Sequence, residues 1–172
     1  GAAMRWLRPA CTRTVVGIDR SRGMLEEARR RLAESRGASA VLVRGDMLAP
    51  PFAAAFDVVT CFGAFGHVEP RDQVRFVAQI GGALAPGGRF VFVTGELPPL
   101  TSRSRWIYRG FNAVMRVRNA LVSPPFIMYY LTFLLPRARH LLEAGGFDVE
   151  VREALPDPHG ALRVVIATKP RA

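Results

Sequence analysis

Three groups of side chains in this sequence could do chemistry. Two carboxylates stand at the ends of apolar runs. Asp19 closes Thr14-Val15-Val16-Gly17-Ile18, and Asp46 follows Ala40-Val41-Leu42-Val43 after Arg44-Gly45. Ionised carboxylates only accept hydrogen bonds. His67 is the second candidate, as a general base; a surface or helix-start histidine accounts for it equally well. The third group is cationic. From Leu97 to Leu142 there is no Asp or Glu, while Arg103, Arg105, Arg109, Arg116, Arg118, Arg137 and Arg139 add seven positive charges. Metal chemistry is not expected. Cys11 and Cys61 are isolated, and there is no CxxC, HExxH or Cys/His cluster.

Composition bounds these readings. A chain of 172 residues that is 49% hydrophobic can bury one core without disulfides and is not intrinsically disordered. A single domain in a reducing, cytoplasmic compartment is expected, and no signal-peptide pattern opens the sequence. The longest apolar-leaning run, Phe126 to Leu135, is about half of a membrane span. The net charge of +10 is a weak guide to partners, because only Lys169 among 24 basic residues is lysine. That skew, with much Ala, Gly and Pro, reads as a composition bias. Nucleic acid is not the expected partner, since the aromatics recur with aliphatics rather than as spaced stacking platforms.

The elements that must position these residues alternate. Thr14 to Asp19 reads as a strand buried on both faces. A helix follows, N-capped by Ser21, with Leu25, Ala28 and Leu32 on one face, Glu26 and Glu27 in its first turn opposite Arg30 and Arg31, and Gly37 at its end. Ala40 to Val43 and Phe56 to Phe62 are further strands. Asp57 begins a strand rather than ending one and is read as structural. Arg71 to Leu84 is a helix, Ala85-Pro86-Gly87-Gly88 a breaker, and Arg89 to Thr94 a strand. Pro136 suits the first turn of a helix ended by Gly145-Gly146. Phe147 to Arg152 and Leu162 to Thr168 are the last strands. Their link, Glu153 to Ala161 with Pro156, Pro158 and Gly160, is too short for the crossover of about a dozen residues that parallel strands need. The expected fold is therefore α/β, a mostly parallel doubly wound (Rossmann-like) sheet closed by a C-terminal antiparallel hairpin.

The segments VVGIDRSRGMLEEAR, VRGDMLAPPF, FDVVTCFGAFGHV, LAPGGRFVFVTGE and LLEAGGFDVEV, in this order, resemble the class I S-adenosylmethionine-dependent methyltransferases. The resemblance implies S-adenosyl-L-methionine as cofactor and methyl transfer to a small-molecule acceptor. It assigns Asp19 to the ribose hydroxyls, with Arg20 beside it, a chemistry that also serves dinucleotide enzymes. It assigns Asp46 to the adenine amino group and Met47 to the face of the base. Phe62 and Gly63, ending a strand, would line the methionine portion, while Cys61 is read as packing. Methyl transfer need not use a base, so no catalytic residue is assigned. The family's first strand and glycine-rich loop normally come before this region. Gly1-Ala2-Ala3-Met4 reads as the last glycine of that loop, a cofactor contact, followed by its helix; Gly1 as a cloning remnant is the other reading. An N-terminally incomplete sequence, with a central strand missing from the sheet, is the expectation.

Residues 101 to 135 interrupt the alternation and are expected to form a lid-like insertion over the cofactor cleft. Ile107, Phe111, Val114, Val117 and Leu121 share one helical face; Arg105, Arg109 and Arg116 lie opposite. In one reading the apolar face covers the sheet and the arginines reach water. In the other, the aromatic wall receives an apolar or anionic acceptor, with His67, Trp106, Tyr129 and Tyr130 as substrate-lid candidates. Peripheral contact with an anionic membrane is a variant of the second. Two alternatives to the enzyme stay open: a non-catalytic methyltransferase-like interaction domain, and a nicotinamide-dependent oxidoreductase.

Overall fold

The computed structural model describes residues 2–123, 128–129, 132–153 and 162–171. Gly1, Phe126, Tyr130 and the link carrying Pro156, Pro158 and Gly160 lie outside the described residues. The chain divides into two compact units, Gly1–Pro51 and Phe52–Ala172.

The first unit runs α1 (Ala2–Leu7), β1 (Thr14–Asp19), α2 (Arg22–Ala33) and β2 (Ser39–Arg44). The strands pair in parallel and in register, from Thr14 opposite Ser39 to Asp19 opposite Arg44. Met4, Val15 and Leu32 form its small core, with Leu7, Ala38, Ala40 and Leu42 packed around them. The Ser21 side chain accepts from the Met24 N–H at 3.3 Å and caps α2 as its sequence implies. Two details of α2 differ from expectation. The helix stops at Ala33, with Gly37 beyond it, and Glu26 and Glu27 lie past its first turn. Glu27 takes both Arg30 and Arg31, while Glu26 reaches back to Arg22.

The end of α2 is held by a residue distant in sequence. Arg8 donates from Nε to the Ala38 carbonyl at 2.8 Å. Its Nη1 reaches the carbonyls of Leu32 at 2.9 Å and Ser35 at 2.8 Å, and the Ser35 hydroxyl. A cation thus satisfies carbonyls that the helix end leaves orphaned.

The second unit comprises β3 (Phe56–Cys61), α3 (Gln73–Ala83), β4 (Leu84–Gly95), α4 (Arg103–Leu121), α5 (Leu135–Ala144), β5 (Asp148–Glu153) and β6 (Leu162–Thr168). Its sheet has the order β3-β4-β6-β5. β3 and β4 are parallel, whereas β6 runs antiparallel to both β4 and β5. The short terminal link therefore has the consequence its length dictates: only β6 is reversed. The Pro-Gly-Gly breaker ends α3 but does not delay the strand. β4 starts at Leu84 and absorbs the breaker as an irregularity, Phe56 facing Leu84 and Val58 facing Arg89. Gly87 and Gly88 stay attached because they exchange backbone hydrogen bonds with Lys169. The Lys169 ammonium also donates to the carbonyls of Gly81 and Leu84, each at 2.8 Å, at the end of α3.

Among the described residues β1 pairs only with β2, and β3 only with β4. The described strands thus form a two-stranded parallel sheet in the first unit and a four-stranded mixed sheet in the second.

The Arg8 clamp gives a stability test. Arg8→Ala strips four acceptors of a charged donor and is expected to lower stability by about 2–3 kcal/mol. A urea midpoint unchanged from the parent protein would show that the clamp contributes nothing.

Candidate active site

In the first unit, parallel pairing brings both candidate carboxylates to the same sheet edge. Asp19 ends β1, and Asp46 lies two residues past the end of β2. The Gly45 N–H donates to the Asp19 carbonyl at 3.1 Å and ties the two strand ends together. Asp19 Oδ1 accepts from the Ser21 N–H at 2.8 Å, and Asp46 Oδ1 from the Leu48 N–H at 2.9 Å. Each carboxylate is oriented through one oxygen. Asp19 Oδ2 has no hydrogen-bond partner among the described residues, and Asp46 Oδ2 has only the exposed Arg20 guanidinium at 3.7 Å. The second oxygens are acceptors left for a ligand's hydroxyl or amino donors. Met47 follows Asp46 on the same edge and is half-buried.

Phe62 and Gly63 belong to the second unit, just past β3. Both are exposed. Gly63 has φ +73, and a Cβ there would meet nothing within 4 Å. The glycine is required by the left-handed backbone, and it leaves the space above the strand end clear. Cys61 is partly buried; burial pushes its thiol up to about 11. It is protonated and unreactive at neutral pH, which matches its reading as packing.

The second unit also holds a cavity of about 500 Å³ beneath α4. Arg105, Arg109, Asn112 and Arg116 line it from the helix; Leu97, Pro70, Tyr129, Phe133, Leu134 and Pro136 provide apolar wall. Arg137 adds a fourth cation, its Nε donating to Oε1 of the buried Gln73 at 2.7 Å. Glu69, the one acid in the lining, is already paired with Arg71 at 3.1 Å. The cavity is therefore an apolar chamber with an uncompensated cationic side.

This arrangement reverses the covering-helix expectation. The half-buried face of α4 is Ser104, Arg105, Tyr108, Asn112, Met115, Arg118 and Asn119, and the helix has no buried residue. The apolar face of Ile107, Val114, Val117 and Leu121 points outward, exposed. Specific polar contacts outweigh the pattern. Arg105 donates to the Pro98 carbonyl at 2.7 Å, and the Asn119 amide donates to the Tyr129 hydroxyl at 3.2 Å.

The lid candidates separate. Tyr129 lines the cavity, and Tyr130 lies outside the described residues. Trp106 is exposed, its indole N–H donating to the Leu100 carbonyl at 2.9 Å, and is not part of the lining. His67 is exposed in the short turn Phe65–His67 and does not line the cavity. Gln73 and Asn112 are lining residues that the sequence did not single out, and Arg137 was noted there only for its charge.

A family model described as "Methyltransferase domain" matches residues 1–88. The chain belongs to that family. The match sets aside the nicotinamide-oxidoreductase alternative. A demethylmenaquinone methyltransferase of Thermus thermophilus is 37% identical over 144 residues, 78% of this chain and 64% of its own length. One from Deinococcus radiodurans is 32% identical over 159 residues, 90% of this chain and 56% of its own. The chain thus spans about three-fifths of the length of these curated relatives. A solved S-adenosylmethionine-dependent methyltransferase from Methanosarcina mazei shares the fold, with TM-score 0.67 and 17% identity over 92% of this chain and 83% of that one. The α/β fold of this family member is accordingly Rossmann-like. No group of side chains among the described residues could hold a metal ion, and no described helix is long and apolar enough to cross a membrane.

The two thiols should differ in reactivity. Exposed Cys11 is expected to alkylate readily with iodoacetamide at about pH 8, and Cys61 to be spared until the protein unfolds. Because the folded-state value lies above the thiol's ordinary value of 9.0, folding favours the protonated Cys61 thiol. That contribution is present below pH 9.0 and is lost as pH rises through about 11. Equal labelling of both cysteines in the native protein, read by mass spectrometry, would contradict this.

Proposed function

We propose that this chain serves S-adenosylmethionine-dependent methyl transfer to a small apolar acceptor that carries an anionic or ionisable oxygen. The observation that carries the reading is the pair Asp19 and Asp46 at one parallel sheet edge, inside the matched family segment. The donor set fits the cofactor's adenosyl part. A ribose diol and an adenine amine both present hydrogen-bond donors, and these carboxylates present free acceptor oxygens. Asp19 would hold the diol, Asp46 the amine, and Arg20 and Met47 would flank the base. Phe62 and Gly63 keep the assignment to the methionine portion, supported by the clear space at Gly63.

When bound, the cofactor would supply an electrophilic sulfonium methyl, which an acceptor nucleophile takes by in-line attack as S-adenosylhomocysteine leaves. The chain's own contribution is placement and exclusion of water. The cavity under α4 is the proposed acceptor site. Leu97, Tyr129, Phe133 and Leu134 would hold an apolar ring, and Arg105, Arg109 and Arg116 its anionic oxygen. The names of the two curated relatives, demethylmenaquinone methyltransferases, support an acceptor of the demethylmenaquinone class. Cytoplasmic residence belongs to the same proposal, supported by two cysteines that form no disulfide.

Two measurements test this. Asp19→Ala should weaken S-adenosylmethionine binding by about 1.5–3 kcal/mol by calorimetry, the range of charge-assisted hydrogen bonds; unchanged affinity removes Asp19 from the site. Replacing Arg105, Arg109 and Arg116 together by Gln should lower turnover of an anionic acceptor at least about tenfold while cofactor affinity holds. Turnover equal to that of the parent protein would exclude the cavity as the acceptor site.

A further inference from the structure

The outward face of α4 is chemically complete for a partner that the described residues do not include. Trp106, Ile107, Val114, Val117 and Leu121 are 57 to 80% exposed. At about 3.6 residues per turn they fall within an arc of about 100°. Leu100 before the helix and Val122 after it are exposed as well. A contiguous apolar surface of this kind marks an interaction site. It is not a core face awaiting closure, because the polar contacts of Arg105 and Asn119 already commit the opposite face inward.

Charge selects among occupants. α4 carries five arginines and no acid, and the acid-free stretch extends from Leu97 to Leu142. Exposed Arg103 lies within the apolar arc, and Arg109 packs over the Trp106 ring at 5.5 Å. A second copy laid face to face on this helix would oppose arginines to arginines with no carboxylate between them. An anionic lipid surface offers negative charge at the depth of the guanidinium groups and acyl chains below it. It also needs no shape complementarity from a smooth, one-sided helix. With five charges in 19 residues, α4 is suited to lie in the interface rather than to cross it.

We infer that α4 is an interfacial anchor, seating its outward apolar face in an anionic lipid bilayer. The inference rests on the orientation of α4 and is independent of the reaction assigned above.

Vesicle flotation tests it without any measurement of turnover. The protein is expected to float with phosphatidylcholine vesicles containing about one-third phosphatidylglycerol, and weakly or not at all with phosphatidylcholine alone. In a Trp6→Phe background, Trp106 emission should shift to the blue on binding. The triple variant Ile107→Gln, Val114→Gln, Leu121→Gln alters only exposed positions, so its far-ultraviolet dichroism and melting should match the parent. Its partitioning should fall at least about tenfold. Arg103→Gln should reduce the preference for anionic vesicles. Failure of the parent protein to float, or flotation unaffected by the triple variant, overturns the inference. Light scattering supplies the remaining outcome: self-association abolished by the triple variant, without vesicle binding, assigns the face to a second copy instead.

Discussion

The second unit depends on how Phe133 is held. Its φ of +54 is a left-handed conformation that bulky side chains disfavour, so its surroundings must impose it. The ring is buried and stacks on Phe65 with centroids 4.9 Å apart. Phe92 at 5.6 Å and Phe76 at 5.8 Å complete its cage. Thr94 donates to the Phe133 carbonyl at 2.9 Å, and Thr132 to the Phe65 carbonyl at 3.0 Å. At Gly66 an added Cβ would stand 3.0 Å from the Tyr129 carbonyl oxygen, a close approach that the glycine eases. Aromatic burial and these bonds offset the strain. They also fix Tyr129 and Leu134 as the wall that gives α4 something polar to face.

Basic residues here do two different jobs, and the total charge conflates them. Arg8, Arg105 and Lys169 donate to backbone carbonyls, at helix ends or in the turn before α4. Arg8 and Lys169 contribute to order alone, whereas Arg105 combines its backbone bond with a place in the cavity lining. Arg109 and Arg116 point to the cavity without an acid to neutralise them. Acids are placed with the opposite logic. Asp19 and Asp46 each spend one oxygen on a nearby backbone N–H and keep the other, so that edge suits uncharged donors. One unit presents acceptors to neutral groups and the other presents cations to anions.

Much of this was legible from residue order. Apolar runs closed by turn residues located every strand. The short link before Leu162 required an antiparallel last strand, because a parallel one needs a longer return. Asp19 and Asp46 could be singled out because their position at strand ends is a local property. The extent of β4 was not legible: Pro86-Gly87-Gly88 reads locally as a stop, and only pairing with Lys169 keeps it in the sheet. Arg8 and Gln73 gave no signal, since their partners lie far away in sequence.

The helix α4 marks the boundary most clearly. Its periodicity established two faces, one apolar and one rich in arginine, because side-chain direction follows from helix geometry alone. Which face turns inward is not a property of the helix. It depends on what the rest of the unit offers: the Pro98 carbonyl, the Tyr129 hydroxyl and a cavity roofed by arginines. The hydrophobic effect, being non-directional, would have favoured the opposite choice. Directional hydrogen bonds from residues distant in sequence decided it, and such contacts exist only once the chain has folded.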